Sequence, residues 1–236
     1  FYPFFSHTDA NGHFLMSATS WICFKVLGSS TFSLRFPCVI SFVFLCVGVS
    51  RINNHLSKVF SKVFLTSFFI CCFHFIAFFS LCRGYGISMA FLVLGLSYFF
   101  DYFKSKNEIH FLLVVLCLQL ALSANLTLLF VICFTSLFVF LFQIREKIFF
   151  RVPVIIIYLF HTTLIFFWIK YAFYLKENGA LYYGEGESYW KTTFQSLIET
   201  IGFNAYSLTF SVIFVFGFTS LAFILKVFKE SIIQFY

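Results

Sequence analysis

Ionised side chains are scarce in this chain: of 236 residues only 11% are Asp, Glu, Lys or Arg, nine are acidic and three are proline. So little charge excludes an ordinary soluble domain, in which about a quarter of residues are charged. The eight cysteines include no C-x-x-C pair, so the common zinc-ribbon and thioredoxin-like spacings are missing. No basic head precedes a short apolar run, and the first residue is Phe1 rather than Met. The secretory-signal pattern is therefore absent, and the chain is expected to be a fragment of a longer one.

What is present is apolar. Hydrophobic residues make up 61% of the chain and the mean hydropathy is +0.96. The 42 Phe residues occur in every apolar run without a fixed spacing, which suits lipid-facing and packing roles better than an aromatic relay. Lipid offers no hydrogen-bond partner to exposed peptide groups, so an apolar run of about 20 residues is expected to cross as a helix. Runs at 34–49, 59–79, 87–103, 109–122, 126–142, 152–173 and 205–225 meet that description, three of them short. The sequence thus predicts an all-α, polytopic integral membrane protein. It has about seven transmembrane helices plus an extracytoplasmic surface helix, in a single transmembrane domain, 1–236.

Charge sets the orientation. One set of loops holds Arg51, Lys58, Lys62, Lys104, Lys106, Arg145, Lys147, Arg151, Lys226 and Lys229 against Asp101, Glu108, Glu146 and Glu230. The other holds Lys25, Arg35, Arg83, Lys170, Lys176 and Lys191 against Asp9, Glu177, Glu185, Glu187 and Glu199. Positive charge accumulates on the cytoplasmic side. The N-terminal segment is therefore expected outside and the C-terminus in the cytoplasm. Topology accounts for the net charge of +7, and no nucleic-acid partner is needed.

Within the spans, Cys38, Cys46, Cys71, Cys72, Cys117 and Cys133 read as small packing residues. Cys23 and Cys82 fall near the outer face, with nothing in the sequence to position them together. His74 and His161 lack acidic neighbours and read as packing or hydrogen-bonded residues. Gln119 and Asn125 read as interhelical hydrogen-bonding groups.

Two outer segments are long enough to carry chemistry, 1–33 and 174–204. In the first, a helix over 13–27 would place His13, Ser17 and Ser20 on one side and Leu15, Ala18, Ile22 and Val26 on the other, which suits a helix on the membrane surface. Gly28 is a natural stop, and Ser29 or Ser30 can cap the next helix if Pro37 falls in or near its first turn. In the second, 190–201 reads as another interfacial helix after a Gly- and Tyr-rich loop. A third outer feature is the short turn at 80–88, where Arg83 sits beside Gly84 and Gly86. It suits an anion contact or a cation reaching for lipid headgroups. Asp9 and His13, four apart, could share a metal or orient a hydroxyl, although a carboxylate just before a helix is more often a cap or a solvated charge.

Residues 12–15, Gly-His-Phe-Leu, with residues 24–37, Phe-Lys-Val-Leu-Gly-Ser-Ser-Thr-Phe-Ser-Leu-Arg-Phe-Pro, resemble a segment of the polytopic GT-C glycosyltransferases. These are the polyprenyl-phosphate-sugar-dependent mannosyl- and aminoarabinosyl-transferases. Residues 78–91, Phe-Phe-Ser-Leu-Cys-Arg-Gly-Tyr-Gly-Ile-Ser-Met-Ala-Phe, are similar to the outer turn after that family's third span. The resemblance covers roughly 1–145 and implies sugar transfer from a polyprenyl-phosphate donor to an acceptor hydroxyl of a glycan, lipid or protein. It implies a bacterial cytoplasmic (inner) membrane, in the cell envelope, with the lipid bilayer as surroundings. The family's usual catalytic acid would lie upstream of Phe1. Asp9 and His13 are then the catalytic candidates present, lining the cavity and orienting the acceptor or a divalent ion. Arg83 is implied as a donor-phosphate contact, with Tyr85 shaping the pocket and Arg35 as a further substrate contact. A transporter or flippase-like protein, and a non-catalytic membrane assembly subunit, are the alternatives. No span interior as drawn carries an ionised residue of the kind coupled transporters place near the midplane.

Overall fold

The computed structural model describes residues 13–71, 73–80 and 83–178, all within one compact unit. Asp9, Cys72, Cys82, the expected helix at 190–201, most of the outer segment 174–204 and the expected span at 205–225 lie outside the described residues. What is described is 89% helical, without strands.

The chain runs through α1 (Phe14–Leu27), α2 (Thr31–His55), α3 (Val59–Cys71), α4 (Phe73–Ser80), α5 (Gly84–Ser105) and α6 (Glu108–Ala124). A 3-10 turn (Leu126–Leu128) then leads into α7 (Leu129–Arg145) and α8 (Val152–Glu177). Four stretches are long and apolar enough to cross a bilayer: Thr31–His55, Gly84–Ser105, Leu126–Arg145 and Val152–Glu177. By helix length and composition the chain is a membrane protein.

Local chemistry sets the boundaries. Gly28 ends α1 at φ +82°, a conformation close to one that only glycine adopts at ease. Ser30 then opens α2 with a reciprocal cap: its hydroxyl accepts from Ser33 N–H at 3.0 Å, and Ser30 N–H donates to Ser33 Oγ at 3.1 Å. This box starts α2 earlier than the apolar run at 34–49 alone suggests. Pro37 consequently falls in the second turn, where the peptide lacking N–H leaves the Ser33 carbonyl without its helical partner. Nearby, Ser20 Oγ donates to the Leu34 carbonyl and ties α1 to α2. Asn107 caps α6 by accepting from Ile109 N–H.

Antiparallel α5 and α6 form the centre, with α2 on the other side of α5. Close approach there depends on small residues, as expected where lipid supplies no hydrophobic drive between helices. A Cβ at Gly48 of α2 would lie 3.0 Å from Leu94 N of α5, and one at Gly95 would lie 3.1 Å from Cys117 Cβ of α6. Leu45, Val49, Phe79, Ala90 and Val93 fill the α2–α4–α5 interior, and Val114, Leu118, Ile132 and Trp168 fill that between α6, α7 and α8. Only 17% of the apolar window of α7, and of α8, is buried, against 50% for α5. Their outward faces carry Phe130, Phe134, Phe160 and Phe166, all exposed, which is where a phenylalanine-rich chain meets lipid tails.

One expectation changes, and one is given a packing partner. On α1 the buried residues are Met16 and Ser20, while Ile22 and Val26 are exposed. The helix therefore packs through a small, partly polar face onto α2 and turns its apolar face outward. Asn125 does not bridge helices: its side chain accepts from Thr127 N–H and Thr127 Oγ1–H, opening the 3-10 turn. Cys23, Cys46, Cys117 and Cys133 are free thiols.

Candidate functional site at the α1–α5–α6 corner

The start of α1, the start of α5 and the end of α6 meet at one corner of the bundle. His13 is the residue before α1. Its Nδ1 donates to the Ala124 carbonyl at the end of α6 across 2.7 Å. A carbonyl only accepts, so Nδ1 carries the proton and Nε2 is the basic nitrogen of the neutral ring. The imidazole meets the Tyr85 ring edge to face, centroids 4.9 Å apart, and Tyr85 also packs on Phe78 of α4.

Gly84 makes this corner sterically feasible. A Cβ there would fall 2.0 Å from the Ala124 carbonyl oxygen and 2.7 Å from His13 Cβ. The first turn of α5 is therefore pressed directly on α1 and α6. Gly86 does the same toward α4, its hypothetical Cβ lying 2.9 Å from the Phe78 carbonyl. Beneath, Met16, Cys38, Ile87 and Ala124 form a small buried core. The Cys38 thiol donates to the Arg83 carbonyl at 3.3 Å, fixing the backbone just before α5.

Arg83 is the N-cap residue of α5, makes no side-chain capping bond and is exposed. Among the described residues no ion pair or hydrogen bond engages its guanidinium. It stands at a helix N-terminus, where backbone N–H groups add positive potential. His13 and Tyr85, from two distant segments, thus touch, and Arg83 precedes Gly84 at the start of the same helix as Tyr85. Arg35 does not join them: it is exposed on α2 without a contact to this corner among the described residues. No three His, Cys, Asp or Glu side chains gather into a metal site among the described residues.

Comparison with protein-family models, curated proteins and solved structures found no match to this chain. The functional reading therefore stands on residues and geometry.

The opposite end is held by charge. Arg51 pairs with Asp101 and stacks over Tyr98, and His55 Nε2 lies 2.8 Å from Asp101 Oδ1. Lys106 pairs with Glu146, and Arg151 with Glu108 at 2.8 Å. The hydrogen bond from Arg151 holds the Glu108 carboxyl below the usual carboxylate range, helped by its own backbone. These pairs bring the expected cytoplasmic loops together at one end.

A second polar locus lies inside the apolar bundle. Gln119 of α6 contacts His161 of α8, as the hydrogen-bonding reading of both residues anticipates, with Gln119 Nε2 to His161 Nδ1 at 2.9 Å. The partner that sequence inspection misses is Ser136 of α7, whose Oγ lies 2.7 Å from His161 Nε2. A serine in an apolar helix has no sequence signal of its own. The available hint is its place on the same side of a helical hairpin as an intramembrane histidine.

Proposed function

We propose that this chain is part of a membrane glycosyltransferase that moves a sugar from a polyprenyl-phosphate donor to an acceptor hydroxyl on the extracytoplasmic face. The observation that carries this reading is the meeting of His13 with Gly84 and Tyr85, because these residues belong to the two segments that resemble the GT-C enzymes. A shared active-site face requires such a meeting, and two unrelated loops do not.

In this reading Arg83, with the amide groups at the start of α5, takes the donor phosphate as negative charge builds on the departing polyprenyl phosphate. Tyr85 walls the donor pocket. His13 lines the acceptor side and orients the incoming hydroxyl, and Asp9, four residues earlier, supplies a carboxylate for the proton or for a divalent ion. Arg35 serves as an outlying phosphate or headgroup contact. α3 and α4 together, and α6, complete the crossings, and the span expected from the sequence at 205–225 would make seven in all. The loops carrying Arg51, Lys106 and Arg151 then face the cytoplasm of a bacterial inner membrane.

The test is transfer of radiolabelled sugar from a polyprenyl-phosphate donor in membranes containing the full-length protein. Arg83→Ala is expected to abolish transfer, by on the order of 100-fold or more, with insertion and expression unchanged. Full activity in that variant removes Arg83 from the mechanism.

A further inference from the structure

Gln119, His161 and Ser136 come from three different helices and form a continuous file through the middle of the apolar bundle. Gln119 and His161 are 7% and 2% exposed. Ser136 also lines a cleft of about 400 Å³ between α7 and α8, together with Phe140, Tyr158, Leu159 and Thr162. That volume falls in the range of small-molecule sites. Leu137 and Leu159 on its walls are 53% and 63% exposed, so the cleft opens sideways onto the space lipid tails occupy. It extends to Phe149, at the charged end of the bundle.

We propose that Ser136 is a nucleophile, His161 its general base and Gln119 the residue that positions the imidazole, for acyl transfer from an ester carried on an apolar chain. Nucleophile within hydrogen-bond reach of a base, and base held by a third group, is the arrangement that activates a serine hydroxyl. Gln119 Oε1 is buried and without a hydrogen-bond partner among the described residues, as is Gln143 Oε1, so it is open to accept a bond if the amide turns. A half-turn of the terminal amide places Oε1 against a protonated Nδ1. The imidazole then presents Nε2 as an acceptor to the Ser136 hydroxyl. In the other proton arrangement, Nε2–H donates to Ser136 Oγ while the hydroxyl donates back to the Ile132 carbonyl, 2.6 Å away. The file thus has a resting and an armed form, exchanged by the half-turn of the amide together with transfer of the imidazole proton from Nε2 to Nδ1.

In the armed form Ser136 Oγ attacks the ester carbonyl carbon as its proton passes to His161 Nε2. Collapse of the tetrahedral intermediate breaks the ester C–O bond, and the departing oxygen takes that proton and leaves as an alcohol. Water, deprotonated by the same imidazole, hydrolyses the acyl-serine to a carboxylic acid and restores the hydroxyl. The net reaction is ester plus water to acid plus alcohol. An apolar cleft open to the bilayer selects a substrate with a long hydrocarbon chain, entering from the membrane. This site is separate from the α1–α5–α6 corner and independent of the glycosyl-transfer reading.

The probe is an alkyl fluorophosphonate, applied to the full chain in lipid nanodiscs and read by peptide mass spectrometry. The expected product is a phosphonyl adduct on Ser136, formed with loss of fluoride, absent in Ser136→Ala and slowed about 100-fold or more in His161→Ala. Gln119→Leu should slow labelling. Gln119→Glu should restore it with the rate profile moved to higher pH, because a carboxylate beside the ring favours imidazolium; a profile left in place overturns the action of residue 119 on the base. The wild-type result decides the matter however the variants fold. No adduct on Ser136, or labelling confined to other serines, overturns the proposal, as does an unchanged rate in a folded His161→Ala.

Discussion

Gly84 shows how much one missing methyl group can decide. Its Cβ would sit 2.0 Å from a backbone oxygen of α6, and backbone, unlike a side-chain tip, cannot swing aside. Gly84→Ala is therefore expected to destabilise the detergent-solubilised protein by about 1–3 kcal/mol, the usual cost of overpacking, read as a lower thermal unfolding midpoint. It should also loosen the His13–Tyr85 contact. The sequence makes Gly84 look like a turn residue beside Arg83, and it is the first residue of α5. Its role as a contact point was not legible, because a close approach depends on which helix arrives opposite. His161 and Gln119 were legible as hydrogen-bonding residues because an apolar span offers an isolated polar group few other fates. Asn125 was not, since an asparagine beside a short apolar break serves a local cap as readily as a bridge.

At the level of elements, the apolar runs and their polar punctuation located the helices well. The expected spans 87–103, 109–122 and 152–173 became Gly84–Ser105, Glu108–Ala124 and Val152–Glu177. The added residues lie at polar ends that a hydropathy reading trims away: Glu108 after the Asn107 cap of α6, and the last turn of α8 through Lys176 and Glu177. α2 gains most, three residues at its start, set by the Ser30–Ser33 box, and six at its end, 50–55. Ser30→Ala is expected to cost about 1 kcal/mol and to fray the first turn, which hydrogen exchange at Ser33 and Leu34 would report. No change in protection there would mean that Ser33, through its hydroxyl bond to the Gly28 carbonyl at 2.6 Å, holds the turn unaided. What hydropathy could not show is the face each helix buries, as on α1, where Met16 and Ser20 rather than the apolar stripe turn inward.

Across the whole molecule the two ends are built differently. One is joined by neutral contacts around Gly84 and the other by ion pairs among the loops. Glu108 is the member whose carboxyl is shifted: folded, it releases its proton at lower pH than in the unfolded chain because Arg151 donates to it. A depressed folded pKa contributes stability above the ordinary carboxylate value of about 4.3, and that contribution fades as pH falls through the lower folded value. The pair is partly exposed, so the effect is small and salt-sensitive. Glu108→Gln is expected to lower the unfolding midpoint slightly at pH 7 and to match the wild type in strongly acidic buffer. A difference that persists unchanged into acid, or at high salt, would exclude the ion pair as its source.

The placement of α5 between α2 and α6 also imposes an order on biogenesis. α2 is synthesised well before α5, so its Gly48 seam meets only lipid, α1 and the intervening α3 and α4 until Val93 and Leu94 emerge from the ribosome. The nascent chain therefore passes through an interval in which a closely packed groove is vacant. Whatever holds that groove during the interval governs how much of the protein reaches the finished bundle.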